Sequence, residues 1–178
     1  MNVVVITGPE SAGKSVLART LQQRFGGVLC TEYVRRFIDE RQRDPVYADI
    51  ALIAEGQLSD EDAARARQPS WLWLDTHLLS NMLWSQVLFG PPPAWVEAAL
   101  LGRRYDLHLL LSPEGVPWVA DGQRCQPDAT DRRAFFEACR AWLDTHQQTY
   151  VVLNGSWEQR LTQARTALAR HFTAPAGL

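Results

Sequence analysis

The chain has 178 residues, of which 46% are hydrophobic, 10% aromatic and 21% charged. This length and composition allow one well-buried core and are short for two. The formal net charge of −2 comes from 18 basic and 20 acidic residues without a long run of one sign, which argues against a nucleic-acid surface or a polybasic membrane surface. We therefore expect a small-molecule partner, and neither nucleic acid nor membrane.

The cysteines give no sign of a disulfide framework or a zinc site. Cys30, Cys125 and Cys139 lie far apart, without a C-x-x-C pair. The chain has no 18-residue apolar run and no charged segment followed by an apolar one near its start. These features predict a cytoplasmic protein with reduced thiols and no targeting segment.

Short apolar runs alternate with longer amphipathic ones, which is typical of a parallel sheet covered by helices. The predicted strands are 2–7, 27–31, 70–75, 106–111 and 149–154. The predicted helices are 14–25, 33–42, 46–67, 77–89, 93–103, 132–147 and 156–171. We expect one α/β domain over residues 1–178, a three-layer sandwich with a five-stranded parallel sheet. Trp71 and Trp73 are predicted core residues, and the tail 173–178 is expected to be frayed.

The first predicted strand leads into a loop that matches the phosphate-binding motif G-x-x-x-x-G-K-[ST]. Its fixed positions are Gly8, Gly13, Lys14 and Ser15. Loop amides would face a polyphosphate, Lys14 would reach the outer phosphates, and the Ser15 hydroxyl would ligate Mg²⁺. The alternative is a chance glycine turn. We predict that ATP and Mg²⁺ bind here, with contacts from Gly8, Pro9, Glu10, Ser11, Ala12, Gly13, Lys14, Ser15 and Val16.

Two carboxylates follow later strands, at the edge of a parallel sheet where ligands gather. Asp75 ends the run "WLWLD", where a second Mg²⁺ ligand belongs in P-loop enzymes. The alternative is that Asp75 caps the next helix, and Thr76 is also a candidate for that cap. Glu32 follows the second strand and could accept the proton of an acceptor hydroxyl or orient that hydroxyl. Its alternative is an ordinary charge at a helix N-terminus.

Residues 113–133, which we call the lid, are polar and turn-rich and lead into a helix, as expected of a segment that closes over a nucleotide. Arg124, Arg132 and Arg133 lie in it. Guanidinium groups closing over a transferring phosphoryl group would neutralise the charge that develops there. The alternative is a surface loop with solvated arginines. The four histidines show no catalytic spacing, so we expect structural roles for them.

Five segments together resemble one known family. They are "GPESAGKS", "TEYVRRF", Gln57 in "IAEGQ", "WLWLDT" and "YDLHLLLSPEGVPWVADGQR", and in this order and spacing they are similar to the ATPase domain of the NadR family, which is a ribosylnicotinamide kinase domain. The similarity spans nearly the whole chain. It implies a P-loop NTPase fold of the nucleoside-kinase type with a lid. It also implies transfer of the ATP γ-phosphate to the 5′-hydroxyl of nicotinamide riboside, giving nicotinamide mononucleotide for NAD salvage.

The resemblance also implies site residues. It places Lys14, Ser15 and Asp75 at ATP and Mg²⁺, Glu32, Tyr33, Arg35 and Gln57 toward the nucleoside, and Asp121, Arg124 and Arg133 at the lid. The predicted catalytic residues are Lys14, Glu32, Asp75, Arg124 and Arg133. Arg132 is a possible substitute at the nucleotide, and Asp75, Trp118 and Asp121 are further predicted substrate contacts.

The sequence departs from the family pattern in two places. Larger members carry a nucleotidylyltransferase domain before the kinase, for which this chain has no room, so we expect a stand-alone kinase. Bacterial members carry an aromatic residue before the Glu-Tyr pair, where this chain has Thr31; Trp84 or Trp118 could instead stack on a planar cationic ring. Two alternatives stay open, a kinase for a different nucleoside and a regulatory or binding ATPase of the same fold.

Overall fold

A computed structural model of the chain describes residues 1–173. The fraying expected for the tail concerns residues that, apart from Thr173, lie outside this range. The described part contains five strands, which are β1 (Asn2–Thr7), β2 (Val28–Cys30), β3 (Trp71–Asp75), β4 (Leu107–Leu111) and β5 (Tyr150–Leu153). They form one sheet in the order β2-β3-β1-β4-β5, and every neighbouring pair is parallel. The predicted five-stranded parallel sheet is confirmed.

Seven α-helices connect and cover the strands in the described range. They are α1 (Lys14–Phe25), α2 (Tyr33–Arg41), α3 (Ile50–Ala66), α4 (Leu78–Leu88), α5 (Ala94–Leu101), α6 (Ala129–Thr145) and α7 (Trp157–Thr173). No helix in residues 1–173 is long and apolar enough to cross a membrane. All three cysteines are free thiols, as expected.

The sheet separates two apolar layers because successive strand residues point to opposite faces. Val3 and Val5 of β1 face a core formed with α3, α4, α5 and α6. Val4 and Ile6 face a second core formed with α1 and α7. The three-layer α/β sandwich is therefore confirmed, with helices on both faces of the sheet.

Trp73 belongs to the second core, where its side chain is fully buried. Its indole nitrogen donates a hydrogen bond to the Gly26 carbonyl at 2.9 Å. Trp71 stacks on it with ring centroids 5.0 Å apart. The prediction of a core residue is confirmed for Trp73, whereas Trp71 is partly buried and packs against that core.

Two helix starts differ from the predicted ones by more than one residue. The segment 46–67 begins with a 3₁₀ turn at Tyr47–Asp49, and α3 starts only at Ile50. Helix α6 starts at Ala129 instead of 132 because the Asp128 carboxylate accepts a hydrogen bond from the Thr130 amide at 2.6 Å, which caps the helix earlier.

Strand β1 is central, so the loop that follows it opens between the carboxyl ends of β3 and β4. Asp75 at the end of β3 pairs in register with Ile6 of β1. Residues 112–128, between β4 and α6, form neither helix nor strand. They include most of the lid.

Candidate active site

The loop after β1 has the backbone shape that its glycines predict. Gly8 has φ +132°, and a side chain there would bring its Cβ within 2.6 Å of the Leu111 carbonyl oxygen. Gly13 has φ +90° and precedes the first residue of α1, Lys14. The start of α1, together with the loop amides, has the geometry of an anion-binding helix N-terminus. Nζ of Lys14 donates a hydrogen bond to the Pro9 carbonyl at 2.8 Å.

One oxygen of the Asp75 carboxylate is left unpaired by the described part of the fold. Its side chain is buried, and its Oδ1 atom has no hydrogen-bond partner among the described residues. The N-cap of α4 is His77, whose side chain makes no capping bond. The alternative in which Asp75 or Thr76 caps this helix is therefore wrong. Thr76 has φ +68°, an unusual conformation for a β-branched residue.

Oxygen ligands near the loop suit Mg²⁺. The orphaned buried oxygen of Asp75 and the half-buried hydroxyl residue Ser15 are hard ligands of the kind that Mg²⁺ takes. No group of three His, Cys, Asp or Glu side chains in residues 1–173 could hold a metal alone.

Glu32 lies at the N-cap position of α2, but its side chain does not cap that helix. Its carboxylate accepts a hydrogen bond from Nε of Arg35 at 3.2 Å, and the side chain is 15% exposed. Burial raises the pKa of Glu32 above its ordinary value, with Asp75 adding to the rise and Lys14 and Arg35 opposing it. The charges of Lys14 and Asp75 therefore act on this carboxylate.

Gln57 holds the start of α2 in place. Its Oε1 atom accepts the Tyr33 amide at 2.9 Å, its Nε2 atom donates to Sγ of Cys30 at 3.7 Å, and the side chain is 1% exposed. The Tyr33 ring lies against Gly56, and the Arg36 guanidinium lies 4.5 Å above that ring. Gln57 thus binds the backbone amide that follows Glu32 with one end of its amide and the Cys30 side chain with the other.

The lid contacts the phosphate-binding loop through Glu10 and Ser11. The Glu10 carboxylate accepts hydrogen bonds from Nε1 of Trp118 at 2.7 Å and from the amides of Cys125 and Gln126 at 3.1 and 2.7 Å. The Ser11 hydroxyl accepts the Val119 amide at 3.0 Å and donates to the Pro117 carbonyl at 3.3 Å. Residues 117–119 and 125–126 of the lid are therefore hydrogen-bonded to the loop after β1.

A second set of contacts joins the lid to α2. Arg35 donates to Asp121 at 2.9 Å, and Gln123 donates to Asp39 at 2.8 Å. Nε of Arg124 lies 3.2 Å from the Asp121 carboxylate, and its Nη1 atom lies 3.4 Å from the Ser11 hydroxyl. The structure thus brings Glu32, Arg35, Asp121 and Arg124 into one chain of charges that ends at the phosphate-binding loop.

The other two lid arginines lie elsewhere. Arg132 is buried and donates to the Val116 carbonyl at 3.2 Å, while its Nε atom has no hydrogen-bond partner within residues 1–173. The side chain of Arg133 is 64% exposed and pairs with Glu114 at 2.8 Å. The structure brings Arg124 to the loop but leaves Arg133 facing solvent.

The two candidate stacking aromatics also differ in position. Trp118 is half-buried and has its indole nitrogen on Glu10. Trp84 packs against Phe135, with ring centroids 4.9 Å apart, in the core on the α3–α6 side. Thr31 is exposed just before Glu32.

Arg160, in the first turn of α7, is a site residue that the sequence did not single out. Its side chain is 2% exposed. It donates to the carbonyls of Gly155, Ala12 and Glu114 at 2.8, 3.2 and 3.0 Å. Burial lowers the pKa of this guanidinium. No sequence pattern could reveal these partners, since they are backbone carbonyls from three loops.

A buried histidine pair lies behind the end of β3. His77 and His108 are fully buried, with their Nε2 atoms 3.3 Å apart, and Nδ1 of His108 lies 3.1 Å from the Thr149 carbonyl. Burial lowers the pKa of His108 to about 4 and that of His77 well below its ordinary value. Both rings are neutral at pH 7, which agrees with the structural roles expected for them.

The chain matches the AAA domain family over residues 3–160. The trifunctional NAD biosynthesis/regulator protein NadR of Salmonella typhimurium is 31% identical over 141 residues, which cover 76% of this chain and 34% of that protein. The Escherichia coli K12 protein of the same name is 30% identical over 155 residues, covering 85% and 38%. The chain thus spans about a third of the length of these curated relatives.

Solved structures share the fold. A NadR protein in complex with NR has a TM-score of 0.73 at 17% identity, over 99% of this chain and 52% of that chain. A NadR protein in complex with NAD and AMP-PNP has a TM-score of 0.75 at 18% identity, over 99% and 51%. Deoxyadenosine kinase from M. mycoides with bound dATP has a TM-score of 0.59 at 10% identity, over 93% and 98%. The predicted P-loop kinase fold is confirmed.

Proposed function

We propose that this chain, which belongs to the AAA domain family and to its NadR-type members, is a kinase that transfers the γ-phosphate of ATP to the 5′-hydroxyl of nicotinamide riboside. The product would be nicotinamide mononucleotide. One observation carries the proposal: a P-loop lysine, one buried and one half-buried carboxylate, and a lid guanidinium converge at one edge of the sheet. In-line phosphoryl transfer needs these groups, since catalysis there is positioning and charge stabilisation.

ATP would bind at the loop after β1. The loop amides and the start of α1 would hold the β- and γ-phosphates, and Lys14 would leave the Pro9 carbonyl for the outer phosphates. Ser15 and Asp75 would hold Mg²⁺, which when bound supplies positive charge to the phosphate oxygens. The orphaned oxygen of Asp75 supports this assignment, because the fold gives that buried atom no partner.

Glu32 would orient the acceptor hydroxyl and accept its proton. A raised pKa makes the carboxylate a better base, and the hydrogen bond from Arg35 fixes its direction. Gln57 would act indirectly, because its side chain holds the Tyr33 amide next to Glu32.

Arg124 would be the lid cation at the transferring group, since its guanidinium already reaches Ser11 of the loop. Arg132 is the next candidate because its Nε atom has no hydrogen-bond partner. Arg133 would first have to break its ion pair with Glu114.

The acceptor is proposed from the resemblance to NadR and from the solved complex of a NadR protein with NR. A planar cationic ring is best held by an aromatic face. This chain has Thr31 in place of the aromatic residue before Glu32. Two candidate aromatic faces are Tyr33, which directly follows Glu32, and Trp118, whose indole nitrogen binds Glu10 of the loop.

The test is coupled ADP release from Mg²⁺-ATP with nicotinamide riboside, the common ribonucleosides and no acceptor, run side by side. Release only with nicotinamide riboside is the expected result. Release with another nucleoside keeps the mechanism and replaces the substrate. Turnover that ignores every acceptor contradicts the kinase and favours a regulatory ATPase.

A further inference from the structure

Glu10 is an unexpected residue in a loop that binds phosphate. It lies two positions after Gly8 and is 9% exposed. A carboxylate repels a polyphosphate, and the repulsion is stronger where water is excluded. A negative charge at Glu10 therefore lowers nucleotide affinity, so some other role must explain why a carboxylate lies in this loop.

The hydrogen bonds of Glu10 indicate such a role. All three hydrogen bonds to the Glu10 carboxylate come from the lid, and one comes from each of Trp118, Cys125 and Gln126. Three N–H donors partly neutralise the charge, as charge-assisted bonds do. Two of the donors are the backbone amides that directly follow Arg124.

The backbone on the other side of Arg124 is also fixed. The Arg124 amide donates to Asp121 at 3.1 Å, and its guanidinium donates to the Val119 carbonyl. Val119 is itself held by the Ser11 hydroxyl. Arg124 therefore lies between two backbone segments that are both bound to side chains of the phosphate-binding loop.

We propose that Glu10 is a positioning residue that holds the lid so that Arg124 lies over the phosphates, at the cost of nucleotide affinity. This proposal adds a lid-positioning role to the proposed kinase function, and only its effect on phosphoryl transfer depends on that function. The base of the lid has a separate anchor, because Arg160 binds both the Ala12 and the Glu114 carbonyls. Loss of the Glu10 contacts should therefore release the segment around Arg124 without unfolding the lid.

The first experiment needs no acceptor. Amide hydrogen exchange of residues 118–126 is measured in the full chain for the wild type, Glu10→Gln, Glu10→Ala and the control Glu137→Gln, which removes an exposed carboxylate of α6. Glu10→Gln keeps the size but turns one acceptor into a donor facing the Cys125 amide. In both Glu10 variants we expect the amides to exchange about tenfold faster or more. A tenfold change corresponds to the loss of about 1.4 kcal/mol of hydrogen bonding. Unchanged exchange overturns the proposal.

The second experiment separates binding from transfer. The dissociation constant of a non-hydrolysable ATP analogue should stay equal or fall in Glu10→Gln, while kcat with the acceptor falls about tenfold or more. In an Arg124→Ala background the same change should leave kcat almost unaltered, because Glu10 acts through Arg124. Weaker analogue binding with unchanged kcat, or an equal kcat loss in both backgrounds, contradicts the role. A chain without kinase activity would fail the proposed function, yet the exchange result would still decide whether Glu10 holds the lid.

Discussion

Arg35 donates a hydrogen bond to Asp121 at 2.9 Å, and this ion pair joins α2 to the lid. Arg35 also binds Glu32, so the same guanidinium orients the proposed base and fastens the segment that covers it. The two side chains are 38% and 28% exposed. Such a pair contributes little to stability, about 0–1 kcal/mol, but its geometry can govern how tightly the lid closes.

Asp121→Asn should therefore leave the protein folded but allow ATP hydrolysis without transfer to the acceptor. Without the ion pair the lid closes less tightly, and water can take the place of the acceptor. ADP release without acceptor should rise, while release with acceptor falls. The matched control is Asp60→Asn, which removes the ion pair between Asp60 of α3 and Arg36, the residue after Arg35 on α2. If Asp60→Asn raises hydrolysis as much as Asp121→Asn does, the lid contact is not responsible.

Lys14→Ala should abolish phosphoryl transfer and leave the fold intact. The side chain is half-buried and its amine donates to the Pro9 carbonyl, so its removal costs the folded state little. It removes a cation from the outer phosphates. Coupled ADP release and the thermal midpoint are the two measurements. Arg19→Ala removes an exposed cation of the same helix and should change neither.

Glu32→Gln should lower turnover far more than ATP affinity. The amide keeps the size of the side chain and can still accept from Arg35, but it cannot accept a proton. A positioned base contributes about 10²- to 10⁴-fold, so kcat should fall within that range. Measurement of kcat beside the dissociation constant for the ATP analogue separates the two effects. Normal turnover in this variant would remove Glu32 from its proposed role.

The pH profile should show the same carboxylate. Burial raises the pKa of Glu32 above its ordinary value of 4.5, and the base is active only when it is ionised. The value of kcat/KM should therefore rise with pH through that raised pKa, with a midpoint above pH 4.5. Stability should change with pH in the opposite direction to kcat/KM. The folded state binds the Glu32 proton more tightly than the unfolded state, so ionisation of Glu32 lowers the free energy of unfolding as the pH rises. Glu32→Gln should lose this limb of the kcat/KM profile.

Local patterns were sufficient for most of the architecture. The five strands and the order of the helices follow from apolar runs and amphipathic spacing. Gly8 and Gly13 mark the phosphate-binding loop because glycine readily adopts their positive φ angles, and at Gly8 because a side chain would clash with the Leu111 carbonyl. The late start of α3 and the early start of α6 were missed. They depend on the 3₁₀ turn before Ile50 and on the cap that Asp128 provides.

The positions of the three lid arginines could not be predicted from the sequence. Three arginines in one polar segment are equivalent as a pattern, yet Arg124 reaches the loop, Arg132 is buried and Arg133 faces solvent. Their positions depend on contacts over a hundred residues apart in sequence, such as that of Glu10 with the Gln126 amide. No periodicity or spacing encodes a contact of that kind.

Arg160 offers the most direct test of how the loops around the site are held together. Its buried guanidinium binds the Ala12, Glu114 and Gly155 carbonyls, so Arg160→Met would leave these acceptors without their donor. We expect the free energy of unfolding to fall by about 2–4 kcal/mol, as for unsatisfied buried polar groups, and the analogue to bind more weakly as the Ala12 segment loosens. Urea unfolding measures the first effect. The control Arg165→Met removes an exposed cation of the same helix and should stay within about 0.5 kcal/mol of the wild type. Equal stability of Arg160→Met and the wild type would mean that burying the guanidinium costs as much as its three hydrogen bonds contribute, and that the loops are held by their other contacts.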